Sequence, residues 1–266
     1  MTPIGVFPFG EPVQEVVQTD RTRKRVFVLG VYASAVHARW VGSDNKTVVN
    51  ALAVASEPYI FWRGDNAEEI IRQIAIPSEV GKLVPANPQY NGPSGIALDE
   101  WILKPLELTR NDVWLCDLVP HSCMNPSQAK AIECAYLPMA RRYKLSLPTV
   151  PVVPQVLADE TRQRDILNEI QESGADIVIV LGDKPIRWFL RQFNDRWKKL
   201  ADFGCDNHSY GKLHEVYLGK QKLAILPLAH PRQIAKLGQS SAIWYQLHQE
   251  WVNNYAYKVL NPKGAG

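Results

Sequence analysis

Residues 176–193 read DIVIVLGDKPIRWFLRQF, and the change of pattern inside that stretch decides the fold class. Ile177 to Leu181 form a continuous apolar run without the alternation of a half-exposed strand, which is expected when helices cover both faces of a sheet. Gly182 ends the run, and the segment turns polar and then helix-like, with Asp183 placed to cap and Pro185 near the first turn. Three further runs share the strand character: KRVFVLG at 24–30, VWLCDLV at 113–119 and KLAILPLA at 222–229. Between them lie stretches with a period near 3.6: NAEEIIRQIAI with Asn66 as cap, GIALDEWILKPL, PSQAKAIECAYLPMARRY opened by Pro126, and DETRQRDILNEIQES closed by Gly174. Alternating strand and helix patterns predict an α/β fold with a central, mostly parallel four-stranded sheet.

The remaining segments fill in around that sheet. Gly81 to Gly95 is dense in Pro, Gly and Asn and reads as a surface loop, and the prolines of TVPVVPQVLAD at 149–159 exclude a central strand. TVVNALAVASEPYIFW predicts an extra strand or hairpin beside the main sheet. The last helix is expected from Ser240 or Ser241 through Trp251, with Ile243, Leu247, Trp251 and Tyr255 as its apolar face.

A chain of 266 residues can bury one full core, so a single domain over 1–266 is expected. With 46% hydrophobic and 21% charged residues the composition is that of a folded protein. No apolar run reaches membrane-spanning length, and MTPIGVFPFGEP lacks the basic start and apolar centre of a secretion signal, which makes the cytoplasm the expected location. A net charge of +3 is too small to identify a nucleic-acid partner, but its distribution is uneven. No Asp or Glu occurs from Val216 to Gln249, where Lys220, Lys222, Arg232 and Lys236 lie, and Lys184, Arg187, Arg191, Arg196, Lys198 and Lys199 form a second basic segment. Phosphate contact uses such a pattern, and so does ordinary helix solvation. Cys116, Cys123, Cys134 and Cys205 lack zinc-finger spacing and read as buried thiols rather than metal ligands; the alternative is that Cys123, Cys134, His121 and Cys205 converge on a metal.

Two turns, Gly30-Val31-Tyr32-Ala33-Ser34 and His230-Pro231-Arg232-Gln233, follow the first and last strand runs. Strand, turn and helix place such residues at the carboxyl edge of a parallel sheet, where open α/β folds hold ligands. Tyr32, with His37 and Trp40 after it, offers rings for stacking a planar ligand; the alternative is that Tyr32 and Trp40 pack a following helix against the sheet. Asp117 interrupts an apolar strand and needs a donor, which is either a ligand or backbone N–H groups of a neighbouring loop, and His121 and Asn125 are placed to line the same rim. Pro231 restricts His230 to extended geometry and fixes how the imidazole leaves the turn, so it suits donation to a developing oxyanion.

These positions resemble the uracil-DNA glycosylase superfamily over roughly residues 25–252. Gly30, Val31, Tyr32 and Ala33 correspond to that family's first Gly-x-Asp/Asn/Ala-Pro turn, and Asp117 stands where a base-reading Asn is common. IVIVLGDKPIRWF is similar to its strand-Gly-helix segment, and His230-Pro231-Arg232 is similar to its His-Pro-Ser motif. The resemblance implies a single three-layer α/β/α domain and DNA containing a modified base as partner. One branch of that family holds an iron–sulfur cluster through a cysteine near the N-terminus, and since none precedes Cys116 here, no cluster, metal or other cofactor is expected. It implies His230 as the catalytic group, Tyr32, Asp117, His121 and Asn125 around the base, and Arg232, Gln233, Ile234, Lys236 and Leu237 against DNA. The chain departs from the pattern in lacking a water-orienting carboxylate at Tyr32 and a proline at Ala33. As an ionised group, Asp117 accepts hydrogen bonds but does not donate, which points away from uracil alone. The expected function is hydrolysis of the N-glycosidic bond of a damaged or deaminated base other than, or in addition to, uracil. The alternatives are a noncatalytic nucleic-acid-binding or nucleotide-sensing protein of the same fold, and a hydrolase of small nucleosides.

Overall fold

The computed structural model describes residues 4–218, 221–235 and 242–260. In chain order the strands are β1 (Gly5–Val6), β2 (Pro12–Val13), β3 (Val26–Tyr32), β4 (Ala35–Val41), β5 (Thr47–Ser56), β6 (Lys82–Pro85), β7 (Val113–Val119), β8 (Ile177–Leu181), β9 (His214–Leu218) and β10 (Gln221–Leu228). The α-helices are α1 (Ala67–Gln73), α2 (Pro93–Leu98), α3 (Pro126–Ala131), α4 (Leu137–Tyr143), α5 (Glu160–Ser173), α6 (Asp183–Trp188), α7 (Pro231–Ile234), α8 (Ala242–Asn254) and α9 (Ala256–Val259). No helix among the described residues is long and apolar enough to cross a membrane.

The chain packs as two compact units, one comprising Met1–Val16, Tyr32–Pro93 and Pro120–Gln155, the other Val17–Val31, Ser94–Val119 and Val156–Gly266. The second unit holds a five-stranded sheet in the order β7-β3-β8-β10-β9. β3 and β10 both pair with β8 in parallel, whereas β9 pairs with β10 antiparallel. All four expected strands are in this sheet. The fifth is β9, which supplies an edge; its HEVYL sequence mixes exposed charge with apolar residues and carries no continuous apolar signal. β8 is buried along its whole length, as its unbroken apolar sequence requires.

Helix ends in this unit follow local chemistry. The Asp159 side chain accepts the Arg162 N–H at 2.9 Å to open α5, and Gly174 closes it at φ 65°, a left-handed conformation that costs glycine little. Asp159→Ala is expected to lower stability by about 1 kcal/mol, read as a fall in thermal midpoint. α6 opens differently from expectation. Its cap is Gly182, while the Asp183 carboxylate accepts the Leu200 N–H at 2.8 Å and ties down the following segment instead.

The first unit is built on an antiparallel sheet, β5-β4-β6, with the short β1-β2 pair beside it in sequence. Val36, Ala38 and Trp40 of β4 are buried, while His37 and Arg39 are less so, giving a period of two. Trp40 is fully buried, donates from Nε1 to the Val80 carbonyl at 3.0 Å and meets Phe9 and Tyr136 edge-on. Two side-chain amides serve as extra backbone partners in this unit. Gln128 accepts from Ala53 N and donates to the Ala51 carbonyl of β5, both at 2.9 Å, and Asn91 does the same for His37 at 2.8 and 3.0 Å. Each supplies a donor and an acceptor to strand backbone groups, and the His37 carbonyl also accepts the Ala86 N–H at 3.1 Å.

Several expectations are corrected. The stretch from Gly30 is not a loop leading into a helix: β3 continues through Tyr32, and only Ala33 and Ser34 separate it from β4. The extra strand β5 pairs antiparallel with β4, whose other edge holds β6, and does not join the parallel sheet. The Gly81 to Gly95 segment contains β6, where Pro85 is tolerated at a strand end. Asn66 precedes α1 but has φ 60° and its side chain makes no cap hydrogen bond. The expected stripe on the last helix is buried at Leu247 and Trp251, whereas Ile243 and Tyr255 are exposed; Ser240 and Ser241 lie outside the described residues.

Candidate functional site

The chain passes from β3 to β7 on one side of the parallel sheet and then to β8 and β10 on the other, so the strand order reverses between β3 and β8. Ligands in open α/β sheets bind at the carboxyl ends of strands beside such a reversal. At the carboxyl end of β8 stands Gly182, at φ 81°; a Cβ there would come 3.1 Å from the Cβ of His230, which follows β10. Glycine thus allows the His230 turn to lie against the end of β8.

His230 is held at several points. Its backbone N–H donates to Gln233 Oε1 at 3.2 Å, its Nδ1 accepts the Arg232 N–H at 3.2 Å, and it caps α7, which begins with Pro231. An Nδ1 that accepts is unprotonated, so the neutral imidazole carries its proton on Nε2. Although the residue is partly exposed, desolvation of the ring, followed by the positive charges of Arg232 and Lys184, pulls its pKa down to about 4. At neutral pH the group is therefore an uncharged Nε2–H donor of fixed orientation.

Of the other residues expected to meet DNA, Arg232 is exposed. Gln233 is committed to holding His230. Ile234 is fully buried, so it is not an exposed inserting wedge. Lys236 and Leu237 lie outside the described residues. Lys184, Arg187, Arg191, Arg196, Lys198 and Lys199 are all exposed in the second unit.

Asp117 is buried in β7, and its carboxylate accepts from the backbone N–H of Val31, which brings it to the carboxyl end of β3. Burial pushes its pKa up to about 7, against the opposing effects of Arg162 and the Val31 hydrogen bond. It is the backbone-donor alternative that is realised here, through a residue of β3 rather than a loop. β7 and β10 are three strand spacings apart, about 14 Å, so Asp117 and His230 do not adjoin.

Tyr32, His121 and Asn125 belong to the first unit. Tyr32 is half-buried at the end of β3. His121 Nδ1 donates to the Ser122 carbonyl at 3.1 Å and lies 3.9 Å from Cys123 Sγ. Asn125 is exposed and caps α3, its Oδ1 accepting the Gln128 N–H at 3.0 Å. The stacking role expected of Trp40 is corrected, because its ring is enclosed in the core. All four cysteines are free thiols, but the expected burial is corrected: Cys116 is buried, Cys123 is partly buried, and Cys134 and Cys205 are exposed. No group of three His, Cys, Asp or Glu residues among the described residues is arranged to hold a metal ion.

The structure adds residues that sequence reading missed. On the face of β7 opposite Asp117, Arg162 and Glu169 of α5 form an ion pair at 3.3 Å. Arg162 also donates to the carbonyls of Leu118 at 3.1 Å and Asp117 at 2.6 Å, and Glu169 accepts from Trp114 Nε1 at 3.0 Å. Their spacing of seven, two helical turns, was a visible signal. A cavity of about 360 Å³ in the second unit is lined by Tyr210, Lys212, Tyr255 and Lys258 among others, and includes none of the expected site residues. Comparison with known protein families and with curated proteins found no match for this chain.

Proposed function

We propose that this chain is a uracil-DNA-glycosylase-like protein of three-layer α/β/α build that binds DNA and hydrolyses the N-glycosidic bond of a damaged or deaminated base. The observation that carries this reading is His230, a neutral imidazole with Nδ1 occupied and Nε2–H available, fixed at the carboxyl edge of a parallel sheet beside a strand-order reversal. A base leaving as an anion gains from a preoriented neutral donor, which stabilises the developing charge without giving up its own proton. The scissile bond is inaccessible in a stacked duplex, so the nucleotide must first be extruded. Water then adds to the sugar carbon as the bond to the base breaks; the base leaves with the electron pair, and the proton released by the water ends on the departed base. The six exposed basic residues from Lys184 to Lys199, with Arg232, suit phosphate contacts.

Base release measured under single-turnover conditions, on duplexes carrying uracil, hypoxanthine, xanthine or an alkylated purine, is expected to show product for at least one lesion. No product above a heat-inactivated control on any of them overturns the enzymatic reading. A second reading, DNA binding without turnover, is favoured by the absence of a carboxylate at Tyr32 and predicts affinity in the same experiment without release. Both readings predict that Arg232→Ala weakens binding to duplexes of unrelated sequence and reduces the slope of log K against log salt by about one.

A further inference from the structure

The peptide link just before His230 is clamped on both sides. The Leu228 carbonyl accepts the Gly182 N–H at 2.8 Å, and the Ala229 N–H donates to the Tyr210 hydroxyl at 3.0 Å. The Tyr210 hydroxyl lies 2.8 Å from His248 Nδ1, and His248 Nε2 lies 2.7 Å from the Trp101 carbonyl. His248 is wholly buried and Tyr210 almost so. A carbonyl only accepts, so Nε2 bears the His248 proton, Nδ1 accepts from the Tyr210 O–H, and the Tyr210 oxygen is left to accept from Ala229. Every donor in the chain Ala229, Tyr210, His248, Trp101 points the same way, and such aligned buried hydrogen bonds reinforce one another. Burial favours this one arrangement, pulling the His248 pKa down to about 4 and raising that of Tyr210.

We propose that Tyr210 and His248 are positioning residues for His230: the relay anchored on the Trp101 carbonyl fixes the Leu228–Ala229 peptide and, through it, the direction of the His230 ring. The inference rests on the reading of His230 as the group that faces the departing base. Neither residue touches that base. Their effect is on where Nε2–H points, and a small misplacement of a reacting group is costly in rate.

Three measurements test this. In the unaltered protein, the Ala229 amide is expected to exchange with solvent deuterium as slowly as the core strands; fast exchange overturns the proposal without any variant. In Tyr210→Phe and His248→Phe, the imidazole ¹⁵N signals of His230 are expected to lose the single Nε2–H tautomer pattern, and base release to slow about 10- to 100-fold with DNA affinity within about twofold. Leu247→Ala, a buried change on the same helix outside the relay, is the control for lost stability alone and is expected to leave the His230 signals and the rate unchanged. An unchanged His230 spectrum in Tyr210→Phe, or the same changes in Leu247→Ala, overturns the proposal. If the unaltered protein releases no base, the glycosylase reading fails, and the exchange and ¹⁵N results still decide the relay.

Discussion

Asp117→Asn is expected to stabilise the protein above pH 7 by on the order of 4 kcal/mol, and to change its stability little near pH 4. The cause is burial, which raises the native pKa of Asp117 from 3.8 to about 7. Between those two values the native protein holds a proton that the unfolded chain has released, so the stability this group contributes is complete below about pH 4 and is lost as pH rises towards 7. Asparagine keeps an oxygen for the Val31 N–H and has no proton to lose. Two histidines act in the opposite sense. His230 and His248 have native pKa values near 4 against 6.5, so their contribution is complete above 6.5 and is lost as pH falls towards 4. The unaltered protein alone therefore shows a composite profile, and the quantity to measure is the difference between variant and parent. Urea midpoints from pH 4 to 8 give it directly. A difference that stays constant across that range rules out an Asp117 that changes charge between pH 4 and 7.

The sequence pattern identified what depends on continuous burial. β8 is apolar throughout and β7 is apolar except for Asp117, as strands covered on both faces require, and both strands run where the pattern predicts. α5 was legible for a different reason: Asp159 and Gly174 are local signals whose geometry needs no tertiary partner. The failures lie where neighbours decide. β4 does alternate, with Val36, Ala38 and Trp40 on one side and His37 and Arg39 on the other, but a turn of only two residues before it was read as the start of a strand-to-helix connection. β6 and β9 are edge strands of four and five residues, too short for a long apolar run, and are held by pairing on one side. At the site, His230 was readable because Pro231 and the apolar strand before it constrain its backbone. The Val31 partner of Asp117, and the meeting of Tyr210 with His248, are made across 86 and 38 residues of chain, and no local pattern announces them.

His230→Ala is expected to slow base release by roughly 10²- to 10³-fold, the loss that follows removal of one preorganised donor to a developing oxyanion. Because the side chain is assigned to the leaving base rather than to phosphate, the affinity for duplex DNA is expected to stay within about threefold, with an unchanged salt slope. The substitution also removes the cap that His230 gives to α7, since its Nδ1 accepts the Arg232 N–H. Loss of a cap costs about 1 kcal/mol and frays a helix of four residues, so the rate must be read beside the fold. His230→Asn separates the two effects: it keeps a side-chain oxygen near the backbone to receive the Arg232 N–H but lacks the reach of Nε2–H. If His230 acts through its Nε2 proton, Asn and Ala are equally slow although Asn restores the cap and the thermal midpoint. The pH dependence gives a further check. With a native pKa near 4, the neutral donor is present throughout the range from pH 5.5 to 8, and the unaltered protein is expected to show no ionisation of His230 there. A rate recovered by His230→Asn reduces His230 to a helix cap, and equal rates for the parent and both variants remove it from the reaction.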